Sequence, residues 1–164
     1  MLYEEKVIET IPVGPLGLIP LKSCTDLGNK VDRYLVDWRR ERESEHKSTI
    51  AFTGYQRDSY IINAATPRFG SGEGKGIVEE SVRGDDLYIM VDVCNYSLTY
   101  SLFGMTNHMS PDDHFQDLKR IIAAAAGKAR RINVIMPFLY ESRQHKRSRR
   151  ESCLLYTSPS PRDA

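Results

Sequence analysis

Two short stretches carry residue types that can do chemistry. One is RQHKRSRR at 143–150, with five basic residues in eight. The other is RFGSGEGKG at 68–76, with four glycines in nine residues around a Phe and a Glu. Clustered Arg and Lys suit an anion site, because the guanidinium presents a planar fork of donors to phosphate oxygens. The same run also suits a solvated loop, a localisation signal or a nucleic-acid patch. Glycine at the density of 68–76 marks a turn that needs positive φ or a close backbone approach. Phe69 offers a ring face on which a base could stack, and Glu73 an acceptor for a ligand donor. The plain alternatives are a ring folded back onto its own domain and a solvated carboxylate. His108 and His114, near Asp112 and Asp113, have metal-ligating side chains, but both aspartates are already accounted for by a helix start. No catalytic residue and no metal ligand is assigned. Cys24 and Cys94 lie among apolar residues and read as inert core thiols.

Composition narrows the classes. The chain has 164 residues, 40% hydrophobic and 27% charged, which suits one soluble globular domain. No apolar run reaches the ~18 residues that a membrane span needs. The N-terminus, MLYEEKVIET, is acidic and lacks the pattern of a secretory signal. Three widely spaced cysteines give no CxxC pair and no even disulfide framework, so a reducing, cytoplasmic setting is expected. The net charge of +1 hides an asymmetry: six of the 23 basic residues but three of the 22 acidic ones lie in 141–164. The body is therefore slightly acidic, which argues against a broad nucleic-acid face. P-loop, GxGxxG, GxSxG and HExxH motifs are all absent.

The elements that must position these stretches follow from periodicity. Residues 16–21 predict a strand. Leu27, Val31, Leu35 and Trp38, with Tyr34 beside them, predict a helix packing by that stripe, with Thr25 or Asp26 as N-cap. Residues 39–48 are its charged end or a linker. TIAFTGY at 49–55 and SYIINAA at 59–65 predict strands, as do 76–82 and 87–93, the last two separated by an RGDD turn. Residues 96–109 show no clear pattern. Ser110-Pro111-Asp112-Asp113 is a helix start, continued by Phe115, Leu118, Ile122 and Ala125 with Ile121 alongside and stopped at Gly127. INVIMPFLY at 132–140 predicts a strand buried on both faces. Strand, helix and strand in this order make a βαβ unit, and ligands gather at the carboxyl ends of such sheets. RQHKRSRR sits just past one such end, which favours the anion reading. The expected fold is α/β, a mainly parallel sheet with flanking helices.

RFGSGEGKGIVEESVRGDDLYIM and INVIMPFLYESRQHKRSRRES together resemble the ribose-phosphate pyrophosphokinase family, also called phosphoribosyl pyrophosphate synthetase. That family carries an RFSDGE-like loop, then an IEESIRG-like strand and turn, then a VIPYxxYARQD-like strand end, in the order seen here. The resemblance covers roughly residues 14–152. It implies a phosphoribosyltransferase-like N-terminal domain, incomplete, from a homo-oligomeric cytoplasmic enzyme. That enzyme moves the terminal diphosphate of ATP onto ribose 5-phosphate with Mg2+, whose binding groups fall mostly outside this chain. By resemblance Arg143 and Gln144 contact ATP, while Phe69 and Glu73 hold the adenine and reach into a neighbouring subunit's site. Ser71 and His145 stand where the family has aspartates. They and Lys146 are expected to line the site, with no role assigned. The stretch Tyr96–Asn107 is longer than the family's usual connection.

CLLYTSPSPRDA at 153–164 does not continue the family pattern. It resembles one translated frame of a sequencing-library adapter, and the alternative is a Ser/Pro-rich disordered tail. The expected organisation is a family domain over 1–152 and a non-native tail over 153–164, Cys153 included. Three functions are carried forward: a diphosphotransferase fragment that is inactive alone, a non-catalytic regulatory homologue, and a nucleic-acid-binding module using 143–150.

Overall fold

Short continuous apolar runs build a parallel sheet with two faces to cover. The computed structural model describes residues 12–45 and 56–143. The predicted strand at 49–55, the site candidates Gln144, His145 and Lys146, and the tail lie outside the described residues. Three parallel strands, β1 (Leu16–Pro20), β4 (Asp86–Met90) and β7 (Arg131–Ile135), lie in the order β1-β4-β7. Ile61 bridges to Leu18 on the free side of β1, through bonds from Leu18 N to Tyr60 O and from Ile62 N to Leu18 O. Two antiparallel pairs complete the strands: β2 (Ala64–Ala65) with β3 (Ile77–Val78), and β5 (Thr99–Leu102) with β6 (Met105–His108). The helices are α1 (Thr25–Ser44) and α2 (Pro111–Ala125).

Each helix covers one face of the parallel sheet. Ile19, Leu87, Ile89 and Val91 meet Leu118, Ile121 and Ala125 of α2. Leu18, on the opposite face, meets Val36 of α1 and Tyr60, with Val31, Leu35 and Tyr88 packed around them. This is the α/β architecture expected: a parallel sheet between helices. The α2 start is the expected one. Ser110 Oγ accepts from Asp113 N at 3.1 Å, Asp113 Oδ2 accepts from Ser110 N at 2.9 Å, and Pro111 occupies the first helical position. Gly127 takes φ 73° just beyond the helix end.

Three expectations are corrected. Of the expected α1 stripe, Val31 and Leu35 pack against the core, but Leu27, Trp38 and the neighbouring Tyr34 are exposed, Trp38 to 68%, and the most buried positions are Gly28, Asp32 and Val36. Gly28, with no side chain, lets α1 lie on the Pro20 ring. The Asp32 carboxylate accepts from Tyr60 N at 2.6 Å and Ser59 Oγ at 2.9 Å. A close approach and a satisfied buried carboxylate together outweigh the apolar stripe. Neither Thr25 nor Asp26 caps α1. Cys24 is the N-cap residue, and Thr25 Oγ1 instead donates to the Lys22 carbonyl. The strand β7 is half-exposed, not buried on both faces: Val134 and Ile135 are open to solvent, because no strand pairs with its outer edge among the described residues.

The base of β4 is held by an ionic clasp. Arg131 Nε donates to Asp86 Oδ1 at 2.7 Å and its Nη2 to Oδ2, while Asn133 Nδ2 donates to Oδ1 at 2.9 Å. The Arg131 bonds hold the Asp86 carboxyl below the usual carboxylate range; burial opposes them and Asn133 assists. A depressed folded value means stability that is fully present above about pH 4, the unfolded range, and is lost as pH falls through the folded value. Melting temperatures measured between about pH 2 and 6 are therefore expected to fall less steeply on acidification in Asp86→Asn than in the parent chain. Equal slopes would remove Asp86 as an acid-sensitive group.

Candidate functional site

The carboxyl ends of β4 and β7 meet the first turn of α2 around a cavity of about 300 Å3, lined by Cys94, Asp112, Phe138, Tyr140 and Arg143 among others. After β7 the chain turns through Leu139–Ser142, with Ser142 N donating to Leu139 O at 3.2 Å and Glu141 in the left-handed region at φ 57°. Tyr140 fixes this turn to α2. Its ring stacks on Phe115 at 4.1 Å between centroids, and its hydroxyl donates to Asp112 Oδ1 at 2.6 Å. The turn thus delivers Arg143 to the rim beside the N-terminus of α2. Guanidinium charge and the positive end of a 15-residue helix there both favour an anion. Asp112 at the same rim opposes one, and its bond to Tyr140 occupies one carboxylate oxygen.

The glycine-rich stretch forms the tip of the β2–β3 hairpin. Arg68 bridges to Gly74, Phe69 N donates to Glu73 O at 2.7 Å, and Gly72 N donates to Phe69 O at 2.9 Å. Phe69 is 54% exposed and Glu73 is exposed, so ring face and carboxylate are presented to solvent. Ser71 Oγ donates to Glu73 Oε2 at 2.9 Å, which makes Ser71 an orienting neighbour of Glu73. Neither Phe69 nor Glu73 lines the cavity that holds Arg143.

The residues that hold the hairpin have no local sequence signal. Arg68 reaches across to α2, with Nη2 3.4 Å from Asp117 and 3.5 Å from Asp113. Asp117, buried, also accepts from Arg120 Nη1 at 2.6 Å. Tyr140 was equally unassigned from sequence; an aromatic residue three positions before the start of the basic run was the one available hint.

A second cavity, of about 430 Å3, opens where β1 and β4 end, beside Ser23, Cys24, Asp92 and Asn95. Asp92 N donates to Ser23 Oγ at 3.0 Å, Asn95 Nδ2 to Ser23 O at 3.1 Å, and His114 Nε2 lies 2.8 Å from Asn95 O. His114 is buried there, whereas His108 is exposed and stacked on Tyr96 at 4.4 Å, so the histidines form no common site. Among the described residues no three His, Cys, Asp or Glu side chains stand close enough to hold a metal ion. No helix among them is long and apolar enough to cross a membrane.

The two cysteines among the described residues differ, contrary to expectation. Cys24 is buried and its thiol is pushed up to about 11, mainly by burial and then by Asp92, while Cys94 is exposed on the cavity rim. Because the thiolate is the reactive form, iodoacetamide at pH 7.5 is expected to modify Cys94 in the native chain and Cys24 only after unfolding. Mass spectrometry of digested adducts checks this, and early labelling of Cys24 would contradict it.

The family model for the N-terminal domain of ribose phosphate pyrophosphokinase matches residues 16–155. The chain belongs to this family. Its structure is also similar to the crystal structure of phosphoribosylpyrophosphate synthetase from Mycobacterium smegmatis, with a TM-score of 0.54 and 21% identity. That match covers 83% of this chain and 34% of the other, so the chain spans about a third of that enzyme's length. At this identity the likeness is one of fold. No curated protein matches the chain. Within the pyrophosphokinase N-terminal domain, the resemblance-derived ATP residues separate into two places: Arg143 at the strand-end cavity, Phe69 and Glu73 at the hairpin tip.

Proposed function

We propose that the chain supplies the ATP-binding half of a ribose-phosphate diphosphokinase. In the reaction the anomeric hydroxyl oxygen of ribose 5-phosphate bonds to the β-phosphorus of ATP. The bond from that phosphorus to the α–β bridging oxygen breaks, AMP leaves, and the hydroxyl proton passes to solvent. Such a transfer depends on positioning and on neutralising phosphate charge. The observation that carries the reading is Arg143, delivered by the Tyr140–Asp112 clasp to the end of a parallel strand in a chain of this family. Arg143 forks onto ATP phosphate oxygens and Gln144 adds a neutral donor beside it. Phe69 stacks on the adenine and Glu73, oriented by Ser71, accepts from its amino group. Since these two groups lie apart from the Arg143 cavity in one copy, the reading includes a homo-oligomer in which the tip of one subunit serves its neighbour.

Magnesium accompanies ATP in this reading. By the family resemblance its ligands are assigned mostly to sequence outside this chain, and no step is routed through it. The ribose-phosphate cradle is likewise assigned elsewhere in the complete protein, so these 164 residues alone are expected not to turn over. A completed gene product given ATP, magnesium and ribose 5-phosphate should form phosphoribosyl pyrophosphate. In it, Arg143→Ala should raise the KM for ATP about tenfold to a hundredfold, the worth of a charged hydrogen-bonding pair. Absence of product from the complete protein would sink the enzyme reading. It would leave the non-catalytic homologue, which the replacements Ser71 and His145 favour and which predicts co-assembly with an active synthetase.

A further inference from the structure

The stretch 96–109, patternless in sequence, folds into the β5–β6 hairpin. Phe103 and Gly104 take φ 51° and 76° in succession, the left-handed pair of a tight two-residue turn. Met109 N donates to Leu98 O at 2.8 Å and Tyr96 stacks on His108, closing the base. Along β5, Tyr100 and Leu102 are half-buried while Thr99 and Ser101 are exposed, so the strand turns one face inward.

That face meets the glycine-rich tip. The Arg68 guanidinium lies over the Tyr100 ring at 5.1 Å from its centroid. The same guanidinium donates to the Gly72 carbonyl, at a long 3.5 Å. Leu102 flanks Gly72: a Cβ built on the Gly72 backbone would just reach Leu102 Cδ1, at 3.4 Å. Gly72 itself sits at φ 90° and closes the turn between Phe69 and Glu73. Two side chains of a neighbouring hairpin therefore flank the turn, Tyr100 through Arg68 and Leu102 beside Gly72.

We propose that the β5–β6 hairpin is a brace for the 69–73 tip, with Tyr100, acting through Arg68, and Leu102, acting on Gly72, as positioning residues. The brace keeps the tip in the conformation that presents Phe69 and Glu73 together. In its effect on nucleotide binding the brace rests on the function proposed above. A tip already ordered binds at its intrinsic affinity, whereas one that samples other conformations binds more weakly by the fraction competent.

The test separates the two ideas. Amide exchange is followed by NMR in the 164-residue chain and in Tyr100→Ala, Tyr100→Phe and Leu102→Ala. In Tyr100→Ala and Leu102→Ala the Phe69 and Gly72 amides should exchange about threefold to tenfold faster while β4 amides keep their protection, a loss of the size that one cation–π or packing contact supports. Tyr100→Phe keeps the ring face and should exchange like the parent. Unchanged Phe69 and Gly72 exchange in both alanine variants would overturn the brace, whatever the protein binds. In the complete enzyme the same two variants should raise the KM for ATP about threefold to tenfold with kcat unchanged. A parent protein that does not use ATP would defeat the functional reading and leave the exchange result to decide the brace.

Discussion

Asp117→Ala is expected to cost about 3 kcal/mol of stability, a fall in melting temperature of about 6 to 12 °C for a chain of this size. Asp117 is 4% exposed and stands between two arginines. It is the acceptor for Arg120 at 2.6 Å and an ion-pair partner of Arg68 at 3.4 Å. Removing it leaves two guanidinium groups facing each other across a buried space. The expected cost sits at the low end of the range for broken buried pairs because Arg68 keeps Asp113 and Arg120 can turn towards solvent. The hairpin should also loosen from α2, so tryptic cleavage after Arg68 is expected to accelerate. Thermal unfolding and limited proteolysis check the two halves. A melting temperature within 2 °C of the parent would show that the network is balanced by its own desolvation.

Gly76→Ala is expected to destabilise by about 2 kcal/mol, and Gly74→Ala by less. A Cβ at residue 76 would lie 2.6 Å from the Arg120 carbonyl oxygen and 2.7 Å from its carbonyl carbon. Those are helix backbone atoms with no rotamer to move, so the hairpin itself must lift off α2, a cost of the overpacking kind. A Cβ at residue 74 would meet the Arg120 guanidinium, a side-chain end that can turn away, but only at the cost of its 2.6 Å bond to Asp117. Alanine at either position also removes unfolded-chain freedom, worth about 0.4–1 kcal/mol in favour of the folded state, which offsets a small clash but not a large one. Chemical denaturation of both variants tests the contrast, and equal stabilities would mean that the hairpin–helix contact yields more readily than its geometry indicates.

Much of the scaffold was readable beforehand. Ser110-Pro111-Asp112-Asp113 announced α2 to the residue, because a cap, a proline and early acids act within one turn. LGLIPL and LYIMVDV announced β1 and β4, because buried parallel strands are continuous apolar runs. The basic run was expected just past the end of the last strand, and Arg143, its first residue, lines the cavity at that end. Other expectations failed for identifiable reasons. The α1 stripe obeys helical periodicity, yet only its middle, Val31 and Leu35, packs; Leu27 and Trp38 at its ends face solvent, since Gly28 and Asp32 decide where the helix touches the sheet. The stretch 96–109 showed no pattern because its hairpin depends on two successive left-handed residues, one of them Phe103, and on contacts with another hairpin.

What the sequence determined by itself is local and repetitive: where strands and helices begin, which runs are apolar, where positive charge is concentrated, and the family motifs in their order. Those features depend on neighbours within a few residues. The tertiary structure alone decided which face α1 buries, that Arg68 meets Asp117 49 residues away, and that Tyr100 and Leu102 stand against the Phe69–Glu73 turn. Ion pairs and packing between distant segments leave no periodic trace, because their partners are chosen by where the folded chain places them.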